Sequence, residues 1–313
     1  MIDFRYHLVS LIAVFLAVAL GIVIGTTQLN GTVLDGLEAQ VGTLTDQNNT
    51  LEAQTESLTE QLSQNDAYDD AVAPLIVANR MVGSSVLLVV TSDDVSTEVV
   101  GLTTSLLAAS GAELAGTLRL QPAFTDPQTA PELQEYVTGR GLPPGITLPQ
   151  TDETSTLVAS LVSQVLMRPA DGGPAPAQTA IDTVLAGLAA LGVVTSESGI
   201  VESADYALIL TGGRITDGDV DARNRALLAL AVALDSAGSG AVVAGDATAD
   251  AEGGLVAAVR ADAGSATSLS TVNNIDAASG RVAALLALTA ERTGQSGNYG
   301  VGEGTVPLPP LGS

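Results

Sequence analysis

The sequence predicts an α/β protein: an N-terminal transmembrane helix and a coiled-coil stalk, followed by a Rossmann-like three-layer domain with a mainly parallel sheet. Three observations carry this. An uncharged apolar run opens the chain, leucines then recur every seven residues, and beyond residue 71 short β-rich apolar runs alternate with amphipathic stretches.

The run Leu8–Gly25, LVSLIAVFLAVALGIVIG, holds no charge and only Ser10 as a polar residue. As a helix it is long enough to cross the roughly 30 Å hydrocarbon core. A cleaved secretory signal is the rival reading. The run exceeds the usual apolar region of about 7–15 residues, and Ala17-Val18-Ala19 lies inside it rather than after it, so a retained anchor is expected. Arg5 and His7 flank the run and the next basic residue is Arg80, which keeps the N-terminus cytoplasmic and exports the rest. Within the span Ala13, Ala17, Gly21 and Gly25 recur every four residues, a small-residue stripe on which two helices could pack closely; the alternative is plain Ala/Gly abundance.

The heptad seam follows. Leu37, Leu44, Leu51 and Leu58 are seven apart, and Leu34, Val41, Asn48, Thr55 and Leu62 complete an a/d pattern. Asn48 and Thr55 weaken such a seam, and a buried Asn fixes register. Asp35, Glu38, Asp46, Glu52, Glu56, Glu60, Asp66, Asp69 and Asp70 lie between Arg5 and Arg80 with no basic residue among them. A copy of the same helix therefore offers no interhelical ion pairs. The partner is either a second copy whose charged faces are solvated or a more basic helix of another protein. From Gln28 to Asp70 such a helix rises roughly 60 Å. The expected division is 1–27 flank and anchor, 28–70 stalk, 71–292 exported α/β domain and 293–313 a flexible Gly/Pro tail.

In the α/β region, Val86–Val90 reads as a strand buried on both faces. Val99, Leu102 and Leu106 mark the next helix, and Thr117–Leu120 alternates like a half-exposed strand. Helices are expected through Leu157–Leu166, Ile181–Leu191, Leu227–Leu234 and Val282–Leu288, and strands at Tyr206–Leu210 and Ala241–Ala244. Pro122–Pro149 and Pro169–Ala177 read as loops.

Composition then removes chemistry. Across 313 residues there are 35 acidic and 11 basic groups, a net charge of -24, which excludes nucleic-acid binding by charge. All basic residues are Arg, Cys and Trp are absent, and His7 is the only histidine. Thiolate nucleophiles, disulfides, CxxC zinc sites and any exported histidine-based triad or metal cage are ruled out. Met1, Met81 and Met167 are too scattered for a soft-metal site, and aromatic platforms for sugars are scarce. No catalytic residue, metal ligand or cofactor is evident, and a non-enzyme is expected. The polar groups at the strand ends, Ser92, Asp93 and Asp94, then Gly212, Gly213 and Arg214, then Gly245 and Asp246, would line a ligand crevice in an open parallel sheet. Equally they suit helix caps and turns. Asp217-Gly218-Asp219-Val220-Asp221 begins like a calcium loop, but Ala222 and Leu228 break that pattern, leaving an acidic first turn of a helix.

The stretch RYHLVSLIAVFLAVALGIVIG, followed at once by the acidic leucine-spaced coil and an Ala/Gly-rich α/β region, resembles the actinobacterial family of the mycobacterial copper transport protein B, over nearly the full chain. The resemblance implies an envelope protein tied to copper homeostasis, with outer-membrane association; similar stalked proteins are linked to cell separation. Copper enters through the resemblance alone, which maps no metal-ligand motif onto these residues. A pore made by one chain is a poor fit, since one helix encloses no channel and the repeated amphipathic strands of a membrane barrel are missing. Three roles follow: a component of a copper-transport assembly, a coiled-coil scaffold for an envelope or cell-separation partner, or a small-ligand receptor using the crevice.

Overall fold

The computed structural model describes residues 4–139 and 142–310. The chain divides into two compact units, Met1–Asn65 and Asp66–Ser313. The first unit is helical: α1 spans Phe4–Val77 and begins with Tyr6–Gly25, the one segment among the described residues long and apolar enough to cross a membrane. Leu37, Leu44, Leu51 and Leu58 are each more than half exposed, and the side chain of Leu34 lies outside the described residues. Polar seam residues turn back on their own helix. The Asn48 amide donates to Glu52 Oε1 at 2.9 Å and the Thr55 hydroxyl to the Leu51 carbonyl at 2.8 Å.

The second unit is built on a seven-stranded sheet: β1 (Ser85–Val90), β2 (Glu113–Leu120), β3 (Val194–Ser196), β4 (Tyr206–Thr211), β5 (Ala241–Gly245), β6 (Ser270–Val272) and β7 (Asn298–Tyr299). Their spatial order is β3-β2-β1-β4-β5-β6-β7, parallel throughout except for β3, which runs antiparallel to β2. Helices α2 (Thr97–Ala109), α3 (Ala130–Thr138), α4 (Thr154–Leu166), α5 (Gln178–Ala190), α6 (Val220–Ala237), α7 (Leu255–Ala261) and α8 (Ala278–Glu291) cover both faces. Because successive strand residues point to opposite faces, β1 divides its side chains between two cores. Leu87 and Val89 pack with α3 to α7, whereas Val86, Leu88 and Val90 pack with α2, α8 and the end of α1. All six residues of β1, all six of β4 and all five of β5 are buried, as a strand covered on both sides requires.

Several sequence expectations are corrected here. The region 122–149 holds α3, whose Leu133 and Val137 are buried, and 293–313 supplies β7, with Tyr299 buried and bonded to β6. Strand β2 starts at Glu113, before Thr117, and is no half-exposed strand: Thr117, Leu118 and Leu120 are buried. The helix expected to close the stalk at Asp70 continues to Val77, with Ala73 and Val77 inside the second core. Asn79, at φ 59°, then turns the chain toward β1.

Two buried charges behave differently. Arg281 on α8 is only 4% exposed, and its guanidinium donates to Asp70 Oδ1 and to the Asp276 carbonyl, each at 2.6 Å, and to the Ile275 carbonyl at 3.3 Å. It is buried but paired with a carboxylate and two main-chain carbonyls. Glu291, at the other end of α8, has no cationic partner among the described residues. Its Oε1 accepts from the Ser270 hydroxyl at 2.6 Å and the Ser270 amide at 3.2 Å, while burial, with the charge of Asp235 adding to it, pushes its pKa up to about 7. Asp235 on α6 accepts from the Ala241 amide at 3.0 Å and is pushed up to about 6, again by burial. A carboxyl with a raised pKa in the fold holds a proton the unfolded chain has released, so stability present at low pH is lost as pH rises through the folded value. Between about pH 4.5 and pH 7 the Glu291 contribution falls by up to about 3 kcal/mol. Denaturant unfolding across pH 5 to 8 should show stability declining with pH, and Glu291→Gln should flatten that decline; an unchanged slope in the variant would contradict the assignment.

Candidate functional site

Strand order reverses between β1 and β4, so the loops leaving their C-terminal ends run to opposite sides and part above the sheet. A crevice of about 260 Å³ opens there. One wall is the β1–α2 loop, with Thr91, Ser92, Asp93 and Asp94; the other is the β4–α6 loop, with Gly213, Arg214 and Asp217. Pro122 and Thr125 close it from the β2 side, and Arg223 and Leu227 reach in from α6.

Local chemistry fixes these loops. The Ser92 hydroxyl donates to Asp94 Oδ2 at 2.9 Å and accepts from the Asp94 amide at 3.1 Å, and Ser96 caps α2 by accepting from the Val99 amide. Gly212 is confined from the β1 side: a Cβ placed on it would lie 2.8 Å from Asp94 Cβ and 3.3 Å from Ser92 Oγ. Gly213 is confined from the β5 side, where such a Cβ would meet Thr248 Oγ1 at 2.2 Å and the Asp246 carboxylate at 3.1 Å. Asp246 braces its own turn through one carboxylate oxygen. Its Oδ1 accepts from the Thr248 amide at 2.7 Å, the Thr248 hydroxyl at 2.8 Å and the Ala249 amide at 3.1 Å. Its charge, after burial, helps hold the Asp276 carboxyl above the usual range.

The geometry therefore brings Ser92, Asp93, Asp94, Gly213 and Arg214 together around one space, puts Gly212 behind Asp94, and leaves Asp246 as a turn former beside Gly213. Asp219 caps α6 through the Ala222 amide at 3.0 Å, so the acidic run 217–221 is a helix start. Sequence reasoning missed two arginines. Arg223 lies one turn into α6, where it bonds Thr125 Oγ1 at 3.2 Å and the Asp217 carbonyl at 3.1 Å. Arg119, on β2, holds Glu197 and the Ser92 carbonyl, with Asp93 at 3.7 Å. The Arg223 signal lay four residues after the Asp219 cap; that of Arg119 lay in its position near the end of an alternating strand.

Other sequence-derived positions stay apart from this crevice. Ala13, Ala17, Gly21 and Gly25 recur along α1, and a Cβ on either glycine would meet nothing within 4 Å. A second, apolar concavity of about 230 Å³ between α3, α4 and α6 carries Arg225 and Glu153 at its edge but few polar groups that converge. Among the described residues, no three His, Cys, Asp or Glu side chains are grouped so as to hold a metal ion.

Comparison with known proteins places the whole chain. The family model described as "Copper transport outer membrane protein, MctB" matches residues 1–310. The chain belongs to the MctB family. Relatives named "Copper transporter MctB" from Mycobacterium tuberculosis and Mycobacterium bovis are 33% identical over 312 residues, covering 98% of this chain and 98% of each relative. The Mycobacterium leprae protein of the same name is 31% identical over 315 residues, covering 98% of this chain and 99% of its own length. The likeness thus takes in the apolar helix, the acidic helical segment and the α/β unit of this MctB-family chain.

One atom in its crevice is out of place for a settled structure. Thr91 Oγ1 is buried without a hydrogen-bond partner, though the Thr91 amide donates to the Leu210 carbonyl at 2.9 Å. An unmet buried hydroxyl costs about 1–3 kcal/mol. Replacing it with the isosteric methyl in Thr91→Val should leave the thermal midpoint of the ligand-free protein unchanged or raise it by a few degrees; a clear drop would show that the hydroxyl is already satisfied.

Proposed function

We propose that this chain is a non-enzymatic, single-pass envelope component of copper transport, with a cytoplasmic N-terminus and an exported α/β domain. Membership of the MctB family across residues 1–310, with relatives named as copper transporters at 33% identity, is the observation that carries the reading. Tyr6–Gly25 supports the membrane anchor by length and composition, and Arg5 ahead of a base-free stretch to Arg80 supports the orientation. The proposed organisation is an anchor over 1–27, an exposed helical stalk over 28–70, a Rossmann-like domain from 71 to 292, and a C-terminal segment over 293–313 that lends a short strand to it. Deleting the gene in its native host should raise cellular copper and lower copper tolerance, with both restored by the full chain but not by one lacking residues 1–27. Unchanged copper content and tolerance in the deletion strain would overturn the reading.

A scaffold role is the second reading, favoured by one observation. The apolar seam residues from Leu37 to Leu62 stand 55–63% exposed on a lone helix, a row that water disfavours and a paired helix would cover. The coil would assemble either as a homodimer in register through Asn48 or with a basic helix of another protein. The small-residue stripe Ala13, Ala17, Gly21 and Gly25 would let the membrane helices approach closely alongside. Since the chain lacks cysteine, Leu51→Cys gives a clean probe. Oxidation of intact cells should yield a species at twice the 31.3 kDa chain mass, more abundant at high salt as acidic repulsion is screened, or a species containing a second, basic coil. No cross-linked species in either form would reject pairing through this seam.

A further inference from the structure

Most charged groups around the crevice already have partners. Arg223 is held by Asp217 and Thr125, and Arg119 by Glu197, by the Ser92 carbonyl and, at 3.7 Å, by Asp93. Two groups are left over. Asp94 is bonded only to Ser92, and the exposed guanidinium of Arg214 makes no hydrogen bond or ion pair among the described residues. They stand on opposite walls, Asp94 on the β1–α2 loop and Arg214 on the β4–α6 loop, with Gly212 keeping the first loop close to the second.

That leftover pair selects a ligand by charge. A phosphate-like anion would meet three lining carboxylates, Asp93, Asp94 and Asp217, against two guanidiniums, and the nearest glycine-bearing turn shows no phosphate-binding pattern. A bare cation would leave Arg214 unmatched and would share the crevice with the guanidiniums of Arg214 and Arg223. A neutral sugar would gain neither charge and would find no aromatic side chain in the lining to stack on. A molecule with one ammonium and one carboxylate matches both walls. The crevice, of about 260 Å³, is large enough for a small organic molecule rather than a single ion or water.

We propose that the crevice above β1, β2 and β4 binds a small zwitterion of the amino-acid type, its ammonium facing Asp94 and its carboxylate facing Arg214. This site goes beyond the copper reading and stands independently of it.

The experiment uses the full-length chain in detergent micelles, in copper-free buffer, titrated by calorimetry with glycine, L-alanine and 4-aminobutyrate, which differ in bulk and in charge separation. Acetate, methylammonium, glucose and inorganic phosphate serve as comparison probes. At least one zwitterion should bind about tenfold or more tightly than acetate and methylammonium, the loss expected when one charge-assisted contact is missing. Arg214→Gln and Asp94→Asn should each weaken that zwitterion by a similar factor while leaving the thermal midpoint of the free protein in place, both being exposed side chains. The double variant should lose less than the product of the two single losses if both charges hold one molecule. The proposal is overturned if no zwitterion outbinds its single-charge fragments, if phosphate or glucose binds as well, or if both single variants keep the parent affinity.

Discussion

Strands β1, β4 and β5 are buried along their whole length, and their apolar side chains are committed to one core or the other. Burying a Val or Leu contributes about 1.5–3 kcal/mol, and the alternation lets one strand contribute to both faces at once. The helices must then cover both sides. Covering the face that holds Val86, Leu88 and Val90 takes α2, α8 and the last turns of α1, which is why Ala73 and Val77 belong with the sheet although they continue a helix that began as an apolar membrane-type segment. Strand interiors committed in this way cannot host polar chemistry. Functional groups are left to the strand ends, and the reversal of order between β1 and β4 opens a space there.

The ends of α8 show how the fold treats charge inside such a frame. Arg281 is acceptable near the top because Asp70 and two main-chain carbonyls meet its guanidinium. Removing one partner from a buried pair leaves an uncompensated charge, so the contact ties the end of α1 to the β6–α8 loop more firmly than its surface area would. At the bottom, Glu291 is given hydroxyl and amide donors but no cation among the described residues, and the protonated form is favoured there. The same helix thus carries one charge kept by pairing and one carboxyl kept by a proton.

Much of this frame was legible from residue order. The continuous runs Val86–Val90, Tyr206–Leu210 and Ala241–Ala244 mark the three central strands because full burial demands apolar residues at every position. The edge was not legible. Strands β3, β6 and β7 have only three, three and two residues, with Thr, Ser and Asn among them, and their identity comes from the neighbours they pair with rather than from any pattern of their own. Helix α3 lies in a Pro-rich stretch and was hidden by it, although Pro131 occupies the first turn, where proline is tolerated. For the crevice, Ser92, Asp93, Asp94 and Arg214 followed from standing just after strands. Arg119 and Arg223 did not, because one points from within a strand and the other from within a helix, and only tertiary packing brings them to the loops.

Family membership and soft-metal chemistry meet in the donors this chain has. Copper(I) favours thiolate and thioether, yet cysteine is absent and the methionines after the first residue are two. Met81 is wholly buried in the core with α2 and α8, and Met167 is buried in the core on the opposite face with α3 to α7. The sheet separates them, so they cannot share an ion, and neither sulfur reaches solvent. Carboxylates are abundant but suit harder cations, and His7 lies beside the apolar segment at the other end of the sequence from the sheet. The two internal methionines therefore form no shared soft-metal site, and the scaffold reading proposed above requires none. For that reading the surfaces to examine are the exposed leucine row of α1 and the polar crevice at the reversal of strand order.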